Sequence, residues 1–415
     1  MSLSPIISNA DKETIPMIQE ETKWKETGKP AWQPLLQYTW ELHQRSVRPA
    51  VAPFRYDWEE IGPGYCYGPA FGHWDLIHAL FDRLPTHQDH AKKQFLNYLG
   101  FQGENGVLPG TIIMRDGNAK WNMELSHPPV WPVALDEYVR QYADNDLLHT
   151  GYNALQRQIG WFESERKAPF GYYYMDIMTR KWESGVDDGI RFDQAPRHPS
   201  ACVDATSHVY QLYTYAAQWA RQLGSDPEPF VQRSEELKLA IQQQLYDEQT
   251  GFFYDSWTMA QSGPKPGAQE GMWPLVVGAA TPQQANRVID EHLLNPKRFF
   301  TKHPLATVAV SDPAFELRMW RGPVWNSMTY WAARGCMHYN RFDAALQLLE
   351  GALDASAEQF AQTGAIWEFY HPHGEAPDSL TRKPYTAFNT PCRDYLGHNP
   401  FLAMARLWQH LKFQS

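Results

Sequence analysis

Apolar residues recur at helical spacing in one segment after another along this chain, and the segments come in pairs. A stripe of that period marks a helix with one buried face, so a long succession of them restricts the fold to helices packed on helices. The pattern predicts helices near residues 32–47, 72–84, 88–99, 130–142, 145–166, 202–224 and 228–246, then 281–294, 323–338, 342–360 and 401–413. Thr86, the stretch from Asp144 to Asp146, and Thr281 supply the expected caps. That makes about eleven or twelve helices with long loops between the pairs and few strands, residues 251–255 being one short extended piece. Residues 103–129 read as irregular. Hairpins closed into a ring, an all-α (α/α)6 barrel, fit the count and the loops, and a long bundle or irregular helical array fits the count alone. No linker, compositional step or solenoid repeat divides the chain. A single domain over residues 31–415 is expected, behind a polar leader, residues 1–30, expected to be mobile.

A helical ring gathers its loops around a crater at one end, so the loops are where chemistry is to be sought. The densest is Trp182-Glu183-Ser184-Gly185-Val186-Asp187-Asp188-Gly189-Ile190-Arg191-Phe192-Asp193. Charged residues, glycines and aromatics are mixed there without any period, and the adjacent Asp187 and Asp188 repel. A solvated loop is the plain reading. A second acid far along the chain, Glu368 in Ile366-Trp367-Glu368-Phe369-Tyr370, supplies another. Glycoside cleavage needs one protonated carboxyl for the leaving oxygen and one ionised carboxylate acting on water or on the sugar. Asp187 and Glu368 are the candidate pair, each bracketed by aromatics, with Glu183, Asp188, Asp193 and Glu375 as local competitors.

Between them runs Met319-Trp320-Arg321-Gly322-Pro323-Val324-Trp325. Trp320 and Trp325 offer walls for a sugar ring, and Arg321 offers planar donors to sugar oxygens or to a carboxylate. Trp74-Asp75 opens an early helix, where Asp75 serves equally as a first-turn acid or as a ligand. His127, in Ser-His-Pro-Pro, suits a sugar hydroxyl or a satisfied core position. The chain carries 17 tryptophans, a number that serves either a large core or stacking platforms.

Other chemistries find little. Net charge is −10, from 37 basic and 47 acidic residues, which disfavours nucleic acid and anionic membranes as partners. No phosphate-cradling glycine motif, zinc signature or nucleophile elbow is present, so no cofactor or metal is expected. His371-Pro372-His373 reads as a turn. Cys66, Cys202, Cys336 and Cys392 are widely spaced, no stretch is apolar enough to span a membrane, and the N-terminus lacks a signal-peptide pattern. A reducing, cytoplasmic setting is expected, and oligomeric state is left open.

On these residues the chain resembles family 63 of the glycoside hydrolases, in particular its short bacterial branch of mannosylglycerate and glucosylglycerate hydrolases, with the trehalases of family 37 as cousins. Glu183-Ser184-Gly185-Val186-Asp187 is similar to the segment carrying the family's general acid, Trp320-Arg321-Gly322-Pro323-Val324-Trp325 to the segment lining its sugar pocket, and Trp367-Glu368-Phe369-Tyr370 to the one carrying its general base. The resemblance runs from about residue 72 to 403. It implies an (α/α)6 barrel and inversion at an α-linked small glucoside or mannoside, which requires carboxyls about 6.5–9.5 Å apart. Asp187 is then the acid and Glu368 the base. Tyr67, Trp74, Asp75, His127, Trp182, Gly185, Arg197, Trp320, Arg321, Trp325 and Tyr370 are the substrate-binding set. His127, Ser327 and the run from Arg393 to Asn399 depart from the family pattern. The rivals are a trehalase or other α-glucosidase, a sugar epimerase relying on a histidine pair that includes His398, and a carbohydrate-binding protein without catalysis.

Overall fold

The computed structural model describes residues 23–179 and 182–414. In chain order the helices are α1 (Gln33–Ser46), α2 (His73–Arg83), α3 (Gln88–Leu99), α4 (Trp131–Tyr142), α5 (Asn145–Glu165), α6 (Asp176–Thr179) and α7 (Val203–Gln222). They continue as α8 (Glu228–Gln244), α9 (Ser256–Met259), α10 (Trp273–Val276), α11 (Pro282–Arg287), α12 (Asn326–His338), α13 (Phe342–Thr363) and α14 (Phe401–Gln414). Six of them, α2, α4, α7, α10, α12 and α14, form an inner ring. Helices α3, α5, α8, α11, α13 and α1 lie outside it, giving an (α/α)6 toroid. α2 packs on both α4 and α14, and α10 on both α7 and α12. Asp136 of α4 ties the ring to α7, accepting from Gln218 Nε2 at 2.7 Å and Trp219 Nε1 at 2.9 Å.

Burial explains the two layers. Every residue of α2 is buried, whereas α8 buries only Ser234, Leu237 and Ile241 along one stripe. An inner helix is enclosed on all sides and an outer helix on one. One hydrophobic core runs from Trp32 to Leu411. Asp144 caps α5 through Leu147 N (3.1 Å), and Thr281 forms a capping box with Gln284.

The structure corrects several expectations. Thr86 does not cap: α3 starts after His87, and Thr86 Oγ1 lies 2.7 Å from His87 Nδ1. The helix expected over 281–294 is α11 followed by a π-helical turn, Val288–Leu293. The one expected from 323 begins at Asn326, because Val324 is held in extended bridges to Ala306 and Tyr370. Residues 103–129 contain a hairpin, β2 (Thr111–Arg115) and β3 (Asn118–Trp121), which joins Ala70–Gly72 (β1) in a three-stranded antiparallel sheet. Of the leader, residues 1–22 lie outside the described residues. Residues 23–30 are docked: Gly28 N donates to Gln409 Oε1 (2.7 Å), and Lys29 Nζ sits between Glu350 (2.6 Å) and Asp354 (2.8 Å). Two carboxylates of α13 and one ammonium hold that end. Among the described residues no helix is long and apolar enough to cross a membrane.

Candidate active site

Four inner helices begin at the same end of the ring. Trp74 and Asp75 lie in the first turn of α2, Trp325 directly precedes α12, and His127 and His398 stand just ahead of α4 and α14. Helix N-termini present unpaired N–H groups and partial positive charge, so this end suits anionic side chains and electron-rich ligands. A cavity of about 450 Å³ opens here, and both Asp187 and Glu368 line it. Tyr67, Trp74, Asp75, His127, Trp182, Gly185, Trp320 and Trp325 share its wall.

Glu368 is 2% exposed and firmly seated. Arg382 Nε donates to its Oε2 at 2.7 Å and Nη2 to its Oε1 at 2.9 Å, and Cys392 N adds a third donor to Oε2 at 3.1 Å. Burial alone would lower the Arg382 pKa, but the facing carboxylate outweighs it and holds the guanidinium charged. Asp187 is more open and meets Lys383 Nζ at 3.0 Å.

The focal loop is built so that Asp187 alone of its acids faces the main cavity. Glu183 is wholly buried beneath it, accepting from Ser126 N (3.0 Å), Met175 N (2.6 Å), Arg166 Nε (2.8 Å) and Arg166 Nη2 (2.9 Å). Asp176 accepts from the N and Oγ of Ser184 at 2.9 and 2.8 Å. Gly185, at φ +73°, makes the left-handed turn between this anchor and Asp187. Arg321 grips the far side, donating to Asp193 at 2.9 and 2.7 Å and to the Asp188 carbonyl at 2.9 Å.

Burial pushes the Asp75 carboxyl up to about 6, the Tyr395 hydroxyl opposing this by donating to Oδ1 at 2.6 Å. Burial lowers His127 to about 4, and its ring meets Trp182 edge-on at 5.3 Å. Trp320 and Trp325 stack face to face, centroids 4.0 Å apart and planes 4° apart, and both line the cavity. Tyr67 lies under both Arg382 (5.4 Å) and Lys383 (5.5 Å).

Three members of the expected substrate-binding set lie elsewhere. Arg197 is exposed and, among the described residues, reaches only the Met178 carbonyl, at 3.4 Å. Tyr370 is buried beside His303, its hydroxyl accepting from Trp367 N at 3.0 Å. Arg321 lines a smaller adjoining cavity of about 340 Å³, which also touches Asp187 and Asp188. Glu375, an acid competitor, is 68% exposed beside His371.

Sequence reasoning missed Arg382, Lys383, Arg115, Lys120, Trp121 and Tyr395, all on the cavity wall. For the hairpin residues a signal existed: Asp116-Gly117, both at positive φ (52° and 75°), is a strong hairpin turn. For Arg382-Lys383 there was none. Two departures from the family pattern touch, Ser327 Oγ lying 2.7 Å from His398 Nδ1. Among the described residues one group, Cys202, Asp204 and Asp255, gathers possible metal ligands. Arg191 donates to Asp204 (3.0 Å) and Asp255 (2.8 Å), so a cation already serves that place.

An (α/α)6 toroid with two carboxylates on one tryptophan-lined crater brings together the groups that glycoside cleavage needs. Residues 69–386 match the mannosylglycerate hydrolase MGH1-like glycoside hydrolase domain, and the chain belongs to that family. The GH63 mannosylglycerate hydrolase from Thermus thermophilus in complex with Tris has the same fold, at TM-score 0.71 and 18% identity over 90% of this chain and 99% of that one. In complex with glucose, that hydrolase gives 0.68 and 17% over 92% and 100%. The neutral trehalase of Saccharomyces cerevisiae gives 0.64 and 14% over 91% and 80%. An uncharacterized protein of Borreliella burgdorferi is 23% identical over 251 residues, 57% of this chain. The chain spans about half the length (50%) of that curated relative.

Proposed function

We propose that this chain hydrolyses a small α-glucoside or α-mannoside with inversion, residues 31–415 acting as one catalytic domain. The observation that carries the reading is the placement of Asp187 and Glu368 on one cavity between tryptophan walls. Asp187 delivers the proton to the leaving oxygen, and Glu368 takes one from the attacking water. The donor pattern favours one oxygen of the base. Each carboxylate oxygen accepts about two hydrogen bonds; Oε2 already has two donors and Oε1 has one. The water therefore sits on Oε1. Lys383 occupies Asp187 Oδ2, so the proton leaves from Oδ1 or after the lysine withdraws.

Arg115 and Lys120 line the cavity from the hairpin and make no ion pair with another described residue. They favour a leaving group that carries a carboxylate, such as glycerate, over the neutral second sugar of trehalose. The four cysteines are free, which supports a reducing, cytoplasmic setting. Incubation with mannosylglycerate, glucosylglycerate, glucosylglycerol and trehalose, with the product anomer followed by proton NMR, tests the reading. A β-configured sugar as first product and loss of turnover in Asp187→Asn support it; an α first product, or near-normal rates in that variant, overturns it. Sugar binding without any product points to a binding protein.

A further inference from the structure

Below the tryptophan stack, between Asp75 and α12, His398 lines the cavity with no part in the proton transfers above. Its hydrogen bonds fix where its proton is. The Trp74 indole nitrogen lies 3.3 Å from His398 Nδ1, and an indole nitrogen can only donate. Nδ1 therefore presents its one lone pair, which the Trp74 N–H and the Ser327 hydroxyl, 2.7 Å from the same atom, share. Burial, with His78 and His127 nearby, pushes the ring's pKa well below the usual histidine value and keeps it neutral. The single ring proton is then on Nε2.

That N–H faces Asp75 but does not reach it. Nε2 is 4.0 Å from Asp75 Oδ1, an oxygen that already accepts from Tyr395 at 2.6 Å. Nor is the ring free to swing closer. Trp325 meets it edge-on at 4.3 Å, Tyr395 lies alongside at 5.8 Å, and the His398 carbonyl accepts from Ser327 N at 2.9 Å. Donor and acceptor are about 1.2 Å too far apart to bond each other, and a hydroxyl set beside the line that joins them reaches both at about 2.8 Å.

We infer that His398 is a specificity-determining residue: its Nε2–H donates to one sugar hydroxyl, and that hydroxyl donates in turn to Asp75. The inference rests on the reading of this cavity as a sugar site. A sugar lacking that hydroxyl leaves the N–H buried and unpaired, which lowers kcat/KM about ten- to hundredfold. The test compares the cleaved glycoside with its monodeoxy analogues in the wild type, His398→Ala and His398→Gln. One analogue should suffer that loss in the wild type and little further loss in His398→Ala, while the glutamine amide, still a donor, restores part of the discrimination. Equal discrimination by wild type and His398→Ala at every position overturns the inference.

Nitrogen-15 NMR of labelled histidine in the free wild-type protein provides a measurement that does not depend on turnover or on a variant folding. The His398 ring should stay neutral with Nδ1 bare between about pH 5 and 8; a proton on Nδ1, or titration in that range, overturns the inference. If no glycoside is cleaved, the hydrolase reading fails separately. Calorimetry with D-glucose, D-mannose and their monodeoxy forms then decides the donor: a deoxy form bound as tightly as its parent at every position overturns it, and one weakened form supports it.

Discussion

Glu368 is 2% exposed with three N–H donors on its carboxylate, whereas Asp187 is 24% exposed at its side chain, on a loop, with one lysine against it. On the proposed mechanism the firm seat belongs to the group that aims a water, because a misplaced water attacks nothing. The looser seat then belongs to the group that releases a proton and recovers it. Stiffness on the Asp187 side is displaced backwards, into the buried Glu183–Arg166 pair and the Arg321–Asp193 clamp, so that the loop is fixed while its tip exchanges partners.

The largest effect should come from the two carboxylates. Glu368→Gln and Asp187→Asn should each lower kcat about 10²–10⁴-fold with the fold retained, read by steady-state kinetics beside circular dichroism. Next, the contrast itself can be broken at the two cations. Arg382→Ala strips a buried carboxylate of its partner and should cost about 3–5 kcal/mol in denaturant unfolding and most of the activity. Lys383→Ala should cost about 0–1 kcal/mol and change the rate less than tenfold. Equal losses in the two variants would show the seats to be alike. Glu183→Gln isolates the anchor from the chemistry. It should cost about 3 kcal/mol of stability by uncovering buried Arg166, while kcat of the folded fraction stays within about tenfold.

The smallest effect is on pH dependence. Asp75, raised from 3.8 to about 6, supports the fold when protonated. Its contribution is full below about pH 4 and is lost as pH rises through 6. His127, lowered from 6.5 to about 4, supports the fold when neutral. Its contribution is full above about pH 6.5 and is lost as pH falls through 4. The two slopes oppose one another between about pH 4 and 6.5, so the wild-type melting temperature should change little there, while Asp75→Asn should leave a melting temperature that rises with pH and His127→Gln one that falls.

The helices were legible because burial on one face writes a period into the chain, and α7 and α13 lie within three residues of their expected bounds. The pairing of Asp187 with Glu368 came from their aromatic brackets and the need of glycoside cleavage for two carboxylates, with the family resemblance assigning the roles; nothing in the period or spacing of their segments carried it. Arg382 escaped because its role exists only once the chain folds back onto Glu368, and a basic pair in an aperiodic loop carries no mark of that. Arg197, Arg321 and Tyr370 were drawn towards the cavity by motif position. In the structure their donors and hydroxyl meet the backbone or other side chains of the chain itself. A sequence motif identifies the neighbourhood of a site, while side-chain direction depends on which local partner is nearest.

The Asp116-Gly117 hairpin hangs outside the helical ring and satisfies its backbone within its own three-stranded ladder. On the proposed reading the ring holds the sugar and this ribbon meets whatever the sugar is joined to. Exchanging the ribbon then retargets the enzyme to a new leaving group without disturbing a single inner helix, which makes it a natural graft site for redesign.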